Sequence, residues 1–256
     1  MENIRKYSLH HGNCLEIMKK IPEESISLIL CDLPYGTTSC SWDSIIPFED
    51  LWEQYNRIIK KNGAIVLFSA QPFTTKLINS NLKHYRYSWY WVKNKTTGFA
   101  FAKHQPLRKV EDINVFYKTK PLYVPQGLVK LDKPKVKKRK FKKINNDTIY
   151  DENSLMKEHI VEYTNYPNNV LYFNKESKTV HPTQKPIDLL MYLINTYTNE
   201  NEEHIILDNC MGSGSTGVAC AKLNRRFIGI ELDENYFRIA KERIERAYME
   251  VAMRIA

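Results

Sequence analysis

Four short apolar runs constrain this chain more than any other feature: Ser27-Leu-Ile-Leu-Cys-Asp32, Ala64-Ile-Val-Leu-Phe-Ser69, His204-Ile-Ile-Leu-Asp208 and Arg226-Phe-Ile-Gly-Ile-Glu231. Runs of this length, aliphatic and without polar alternation, read as strands buried on both faces, the habit of parallel sheets. Helical patterns lie between them. From Pro47 to Lys61 the residues Phe48, Leu51, Trp52, Tyr55, Ile58 and Ile59 line one helix face, and Asn62-Gly63 is expected to stop that helix. Pro186 opens a second helix with Ile187, Leu190, Met191 and Ile194 on its apolar face, and two more are expected from Gly217 to Leu223 and from Asn235 to Met253. Strands alternating with helices give the fold class, α/β with a doubly wound, mostly parallel sheet. Tyr87 to Lys93 and Ile113 to Lys118 read as two further strands, aromatic in the manner of sheet edges. Residues 119–178 break the rhythm with Pro121, Pro125, Pro134, Pro167 and many Asn and Tyr residues. They are expected to form an inserted region outside the main sheet, leaving 1–118 and 179–256 as one domain.

Charge narrows the partners. The net charge of +9 over 256 residues is concentrated between Lys130 and Lys143, where nine Lys or Arg residues meet one acid, Asp132. A segment so basic has a polyanion as its natural partner. Lys135, Lys137, Lys138, Arg139, Lys140, Lys142 and Lys143 are the candidate phosphate contacts. No run of about 18 apolar residues suggests a membrane span, and the N-terminus lacks the apolar core of a secretory signal, so the cytoplasm is the expected location. Five cysteines at positions 14, 31, 40, 210 and 220 form no CxxC pair. That argues against a disulfide framework and against a metal cage.

Two segments could carry chemistry. Asp32-Leu-Pro-Tyr35 leaves the end of an expected strand, where open α/β sheets bind ligands. Asp32 offers a carboxylate acceptor, and the Leu33 carbonyl offers a second one. Pro34 fixes the backbone between them, and Tyr35 presents a ring on which a flat base can stack. Asp208-Asn-Cys-Met-Gly-Ser-Gly-Ser-Thr-Gly217 likewise leaves a strand and opens a helix, with Gly212 and Gly214 allowing close backbone approach to a ligand. The loop is neither a phosphate-binding GK[ST] loop nor a GxGxxG. Glu231, at the end of the next strand, suits a ribose diol. An adenosine-containing ligand fits this pair, and the pair alone leaves open which one.

Asp32-Leu-Pro-Tyr35, the Asp208–Thr216 loop and His181-Pro-Thr-Gln-Lys-Pro186 together resemble the amino-methyltransferase family of DNA, in the β-class order with the catalytic motif first and the cofactor loop last. The resemblance covers nearly all of the chain except 119–178, with Gly12-Asn13-Cys14-Leu15 similar to the family's N-terminal turn. It implies S-adenosyl-L-methionine as cofactor and double-stranded DNA as substrate, in a bacterial, archaeal or phage setting. It admits a homodimer and a cognate restriction endonuclease as further partners. It implies that Asp32, Leu33, Pro34 and Tyr35 handle the target base. It implies a cofactor site of Asn13, Cys14, Asp32, Thr183, Lys185, Asp208, Cys210, Gly212, Ser213, Gly214, Ser215, Thr216, Glu231 and Leu232, with Lys185 pairing the cofactor's carboxylate. Trp42 and Asp43 would belong to a lid, with a core-packing role for Trp42 the equal alternative. An aromatic amine is a weak nucleophile, because its lone pair is delocalised into the ring. Two acceptors on its N–H groups free that lone pair, so the Asp32 motif suits adenine N6. Cytosine N4 is the nearest alternative, and RNA or a protein amide lies further off. A binding protein with decayed activity is disfavoured by the intact Asp32, Tyr35 and glycine loop. Leu33 and Asn209-Cys210 depart from the family's Pro and Pro-Phe, the latter expected to loosen packing on the cofactor. Asn13 stands where Asp is common.

Overall fold

The computed structural model describes residues 6–36, 44–137, 159–175, 184–200 and 202–255. Two compact units emerge, one of residues up to Val124 and from Asn169 onward, the other Pro125–Asn168. Along the chain the strands are β1 (Tyr7–His11), β2 (Ile26–Asp32), β3 (Ile59–Ser69), β4 (Tyr85–Thr97), β5 (Arg108–Phe116), β6 (Val129–Lys137), β7 (His159–Thr164), β8 (Val170–Tyr172), β9 (Ile205–Asp208) and β10 (Arg226–Glu231). The helices are α1 (Cys14–Met18), α2 (Phe48–Ile58), α3 (Phe73–Ser80), α4 (Ile187–Tyr197), α5 (Ser215–Lys222) and α6 (Glu234–Ile255).

The larger unit is built on an eight-stranded sheet in the order β1-β10-β9-β2-β3-β5-β4-β8. The pairs from β1 to β3 are parallel, β5 runs antiparallel to both β3 and β4, and β8 is parallel to β4. The expected unbroken apolar strands have a direct physical basis. Leu28 and Leu30 of β2 pack into one core layer with residues of α4, α5 and α6, whereas Ile29 and Cys31 pack into the other with residues of α1, α2 and α3. A strand covered on both faces needs apolar residues at every position.

Three expectations change. Helix α2 ends at Ile58, and Asn62-Gly63 lies inside β3. Ile59 already pairs with Ile26 of β2, so tertiary pairing ends the helix before the glycine does. The aromatic strands are interior to the sheet: β5 sits between β3 and β4, and β4 between β5 and β8. Their rings serve packing against α4, as Trp89 Nε1 donates to the Tyr197 hydroxyl at 2.8 Å and Trp89 meets Tyr192 edge to face. Finally, residues 170–172 join the main sheet as β8, with Leu171 buried and the Trp91 indole donating to the Phe173 carbonyl at 2.9 Å. Val124 likewise belongs to the larger unit, its N–H bonded to the Thr196 carbonyl at 2.8 Å.

In the smaller unit β6 and β7 form a two-stranded antiparallel ribbon, with Val136 opposite Ile160 and Lys135 opposite Val161. Lys135 is exposed. Of the other candidate phosphate contacts, Lys137 ends β6 and Lys138 to Lys143 lie outside the described residues.

Candidate active site

The direction of winding reverses between β9 and β2, which are neighbours in the sheet. From β9 the chain passes through α5 to β10 on one side, and from β2 through α2 to β3 on the other. Ligands of such sheets lodge at the carboxyl ends of the strands flanking that point. A cavity of about 560 Å³ occupies the place. It is lined by Asn13 and Cys14 after β1, Asp32, Leu33, Pro34 and Tyr35 at the end of β2, Asp208, Cys210, Gly212, Ser213, Ser215 and Thr216 after β9, and Glu231 and Leu232 at the end of β10. Lys185 completes it from the segment before α4. The structure thus brings nearly all of the expected site residues to one cavity. Thr183, Trp42 and Asp43 lie outside the described residues.

Asp32 is held from two sides. The Tyr35 hydroxyl donates to Oδ1 at 2.7 Å, and the Lys185 ammonium binds Oδ2. Burial, with the Asp32 charge beside it, pushes the Tyr35 phenol well above its usual range, so Tyr35 stays a donor. Phe73 stacks on the Tyr35 ring at 5.0 Å and fixes its plane. Leu33, where the family has proline, buries its side chain in the apolar layer.

The expected partner of Lys185 is the cofactor's carboxylate. Its Nζ lies between two carboxylates of the protein, bonded to Asp32 and 3.5 Å from Glu111 Oε2. Burial disfavours the ammonium, but Asp32 and Glu111 outweigh it and hold its pKa above the lysine norm. Glu111 in turn receives Lys93 Nζ at 2.9 Å. Burial works against the Glu111 charge, yet Lys185 and Lys93 together bring its pKa below the usual value. Of Lys93 and Glu111, the lysine carries no sequence motif, and the glutamate is marked only by the resemblance of His104 to Lys118 to the family. They lie on adjacent strands, Lys93 buried and Glu111 half-buried, and each offsets the other's loss of water.

The glycine loop divides its labour. Gly212 has φ +51° and nothing within 4 Å of where a Cβ would stand, so it leaves open space at the cavity wall. Gly214, also at positive φ, faces α6, where a Cβ would meet Ala240 Cα at 3.0 Å. Its role is helix packing rather than approach to a ligand. Ser213 is fixed by Arg243 of α6, whose guanidinium donates to Oγ at 2.9 Å. The two Glu231 oxygens accept from the N–H groups of Gly212 at 2.7 Å and Asp233 at 2.9 Å, which aims the carboxylate at the cavity. Burial nevertheless raises its pKa. Asp208 is pushed by burial up to about 6 while it accepts from the Cys210 N–H at 3.2 Å. Asn209 is 2% exposed and accepts the Tyr55 hydroxyl at 2.5 Å. Asn13 caps α1 by accepting the Leu15 N–H at 2.9 Å.

One buried atom bears on what the cavity can hold. Ser215 Oγ is buried, lines the cavity and has no hydrogen-bond partner among the described residues. Burying a hydroxyl unpaired costs about 1–3 kcal/mol, which a ligand with a polar group there would relieve. With the open space at Gly212 and the Glu231 carboxylate, the donor and acceptor set fits an adenosine-bearing ligand that also carries charged groups.

This is the α/β fold of S-adenosylmethionine-dependent methyltransferases, with the site at the switch point of its sheet. A family model described as DNA methylase, of the N6 and N4 amino-methyltransferases, matches residues 26–242, and the chain belongs to that family. Its members take the methyl group from S-adenosyl-L-methionine. Among its relatives is the type II methyltransferase M.HpaI of Haemophilus parainfluenzae, 29% identical across 93% of this chain and 74% of that protein. The DNA adenine methyltransferase YhdJ of Escherichia coli K12 is 27% identical across 93% of this chain and 82% of its own. The crystal structure of M1.HpyAVI complexed with SAM superposes with a TM-score of 0.61 at 23% identity, covering 93% of this chain and 99% of that one. Among the described residues no helix is long and apolar enough to cross a membrane.

Proposed function

We propose that the protein methylates adenine N6 in double-stranded DNA. The observation that carries this reading is Asp32, fixed between the Tyr35 hydroxyl and the Lys185 ammonium in the same cavity as Gly212, Ser215 and Glu231. When bound, S-adenosylmethionine supplies an electrophilic methyl group. Glu231 and the loop from Gly212 to Thr216 would hold it. Asp32 accepts one N–H of the target amine and the Leu33 carbonyl the other, which frees the nitrogen lone pair. A carboxylate has about four acceptor sites, so its bonds to Tyr35 and Lys185 leave room for the base. Asp32 is held by those two bonds before reaction and needs no reorganisation. The proton that the amine loses passes along its hydrogen bond to Asp32 and on to solvent. Aspartate as the motif's first residue, together with the adenine-named relative, favours adenine over cytosine N4.

The unit Pro125–Asn168 is assigned to target recognition, its lysines contacting phosphates that position the duplex. Replacing Lys135, Lys137, Lys138 and Lys140 by Ala should weaken DNA binding. It should also flatten the log–log salt slope by about 0.9 for each phosphate that a lysine no longer neutralises. Binding measured by fluorescence anisotropy from low to high salt tests this, and an unchanged slope would take the segment off the DNA. The reaction itself is tested by nucleoside mass spectrometry on mixed-sequence duplex DNA treated with the protein and S-adenosylmethionine. N6-methyladenine is the expected product. N4-methylcytosine would correct the base and keep the mechanism, and no methylated nucleoside from folded, cofactor-binding protein would overturn the reading.

A further inference from the structure

The hairpin joining β4 to β5 ends in a tip that neither the fold nor the transfer step explains. Phe99 and Phe101 stand on a single 3-10 turn and are 69% and 57% exposed. Two large aromatic rings gain nothing from water, and exposed apolar groups placed together mark interaction sites. The turn is a built feature. Gly98 opens it at φ +95°, and the N–H groups of Phe101 and Ala102 bond back to the carbonyls of Gly98 and Phe99 at 3.0 and 3.1 Å. Thr97 pairs with Arg108 across its base. From Asn94 to Val110 there are four cations, Lys95, Lys103, Arg108 and Lys109, and no acid. All four are exposed. Thr97, Arg108 and Val110 also line the catalytic cavity, so the tip grows from the cavity's own wall.

We infer that Phe99 and Phe101 are the wedge that enters the DNA stack where the target base leaves it, with the surrounding cations on the flanking phosphates. The inference rests on the DNA reading above. A base inside a duplex must swing out to reach Asp32, and the gap it leaves is lined by apolar base faces. Apolar side chains inserted between base steps are a recurring way to hold such a distortion. A polyanion with an exposed aromatic stack is the partner that matches both the charge and the rings of this tip.

The test exploits the fact that a mismatched base leaves the helix more readily than a paired one. The positions that the wild-type enzyme methylates on genomic DNA define its target. Duplexes carrying that site are then made fully matched, and mismatched opposite the target base. Phe99→Ala combined with Phe101→Ala should slow transfer to the matched duplex by about tenfold or more, and to the mismatched duplex by less than about threefold. Affinity for S-adenosylmethionine should not change. Phe99→Leu with Phe101→Leu should restore most of the matched rate, since leucine is also an apolar wedge. Equal loss on both duplexes, or no loss on either, overturns the wedge while leaving the DNA reading intact. A wild-type enzyme that methylates no DNA overturns both.

Discussion

Replacing Asp32 by Ala should reduce methyl transfer by about 10³-fold while changing affinity for S-adenosylmethionine by no more than about threefold. Asp32 ends β2, a different strand from the β9 and β10 ends whose loops carry Gly212, Ser215 and Glu231. Its loss removes an acceptor aimed at the reacting nitrogen and leaves those loops as they were. An acceptor of this kind acts on the transition state, where the amine gives up its conjugation, more than on the bound base. The effect should therefore fall on kcat, with KM for DNA little moved. Radiolabelled methyl transfer to duplex DNA and calorimetric titration of the cofactor measure the two quantities. Turnover within about tenfold of wild type would remove Asp32 from the mechanism, and a parallel collapse of cofactor affinity would move it into the cofactor site.

The motif around Asp32 is legible in the sequence because a strand, a turn and a ligand end are consecutive in the chain. The same holds for Asp208 to Thr216 and for Glu231. Each is a strand end followed at once by its functional loop, and the buried strands announce themselves by unbroken apolar runs. Elements whose meaning depends on distant partners are less legible. Asn62-Gly63 looks like a helix stop, yet the pairing of Ile59 with Ile26 ends the helix earlier. Val170 to Tyr172 is too short to show as a strand and becomes one only against β4. Gly214 resembles a ligand-contact glycine, and its reason is Ala240, 26 residues on in a different helix. Arg243 and Lys93 carry no local motif at all, because their importance comes from the groups they meet. Local patterns thus encode the strand ends of this site, and long-range pairing encodes how those ends are held.

Lys185 is the sharpest case of such holding, and its removal should have the second large effect. One ammonium serves both Asp32 and Glu111, and it lies 5.0 Å from the centre of the Phe68 ring. Lys185→Met keeps most of the side-chain volume and deletes the charge. Asp32 would keep its bond from Tyr35, and Glu111 that from Lys93. Breaking a buried ion pair from one side costs about 3 kcal/mol, because the charge left behind has been taken from water without compensation. The variant should lose about that much stability to urea at pH 7 and should transfer methyl groups poorly. Adding Asp32→Asn to it removes one of the stranded charges and leaves the Lys93–Glu111 pair whole. The double variant should therefore be more stable than Lys185→Met alone, although it stays inactive. A double variant no more stable than the single one would mean that Lys185 matters for packing and not for charge. The pH dependence supplies an independent check. Glu111 has its pKa lowered in the folded protein, so its contribution to stability is present above the unfolded carboxylate value and is lost as pH falls through the folded one. Lys185→Met forfeits part of that contribution. The gap between wild type and variant should thus be widest near neutrality and should narrow as pH falls below the unfolded glutamate value toward the lowered one of folded Glu111.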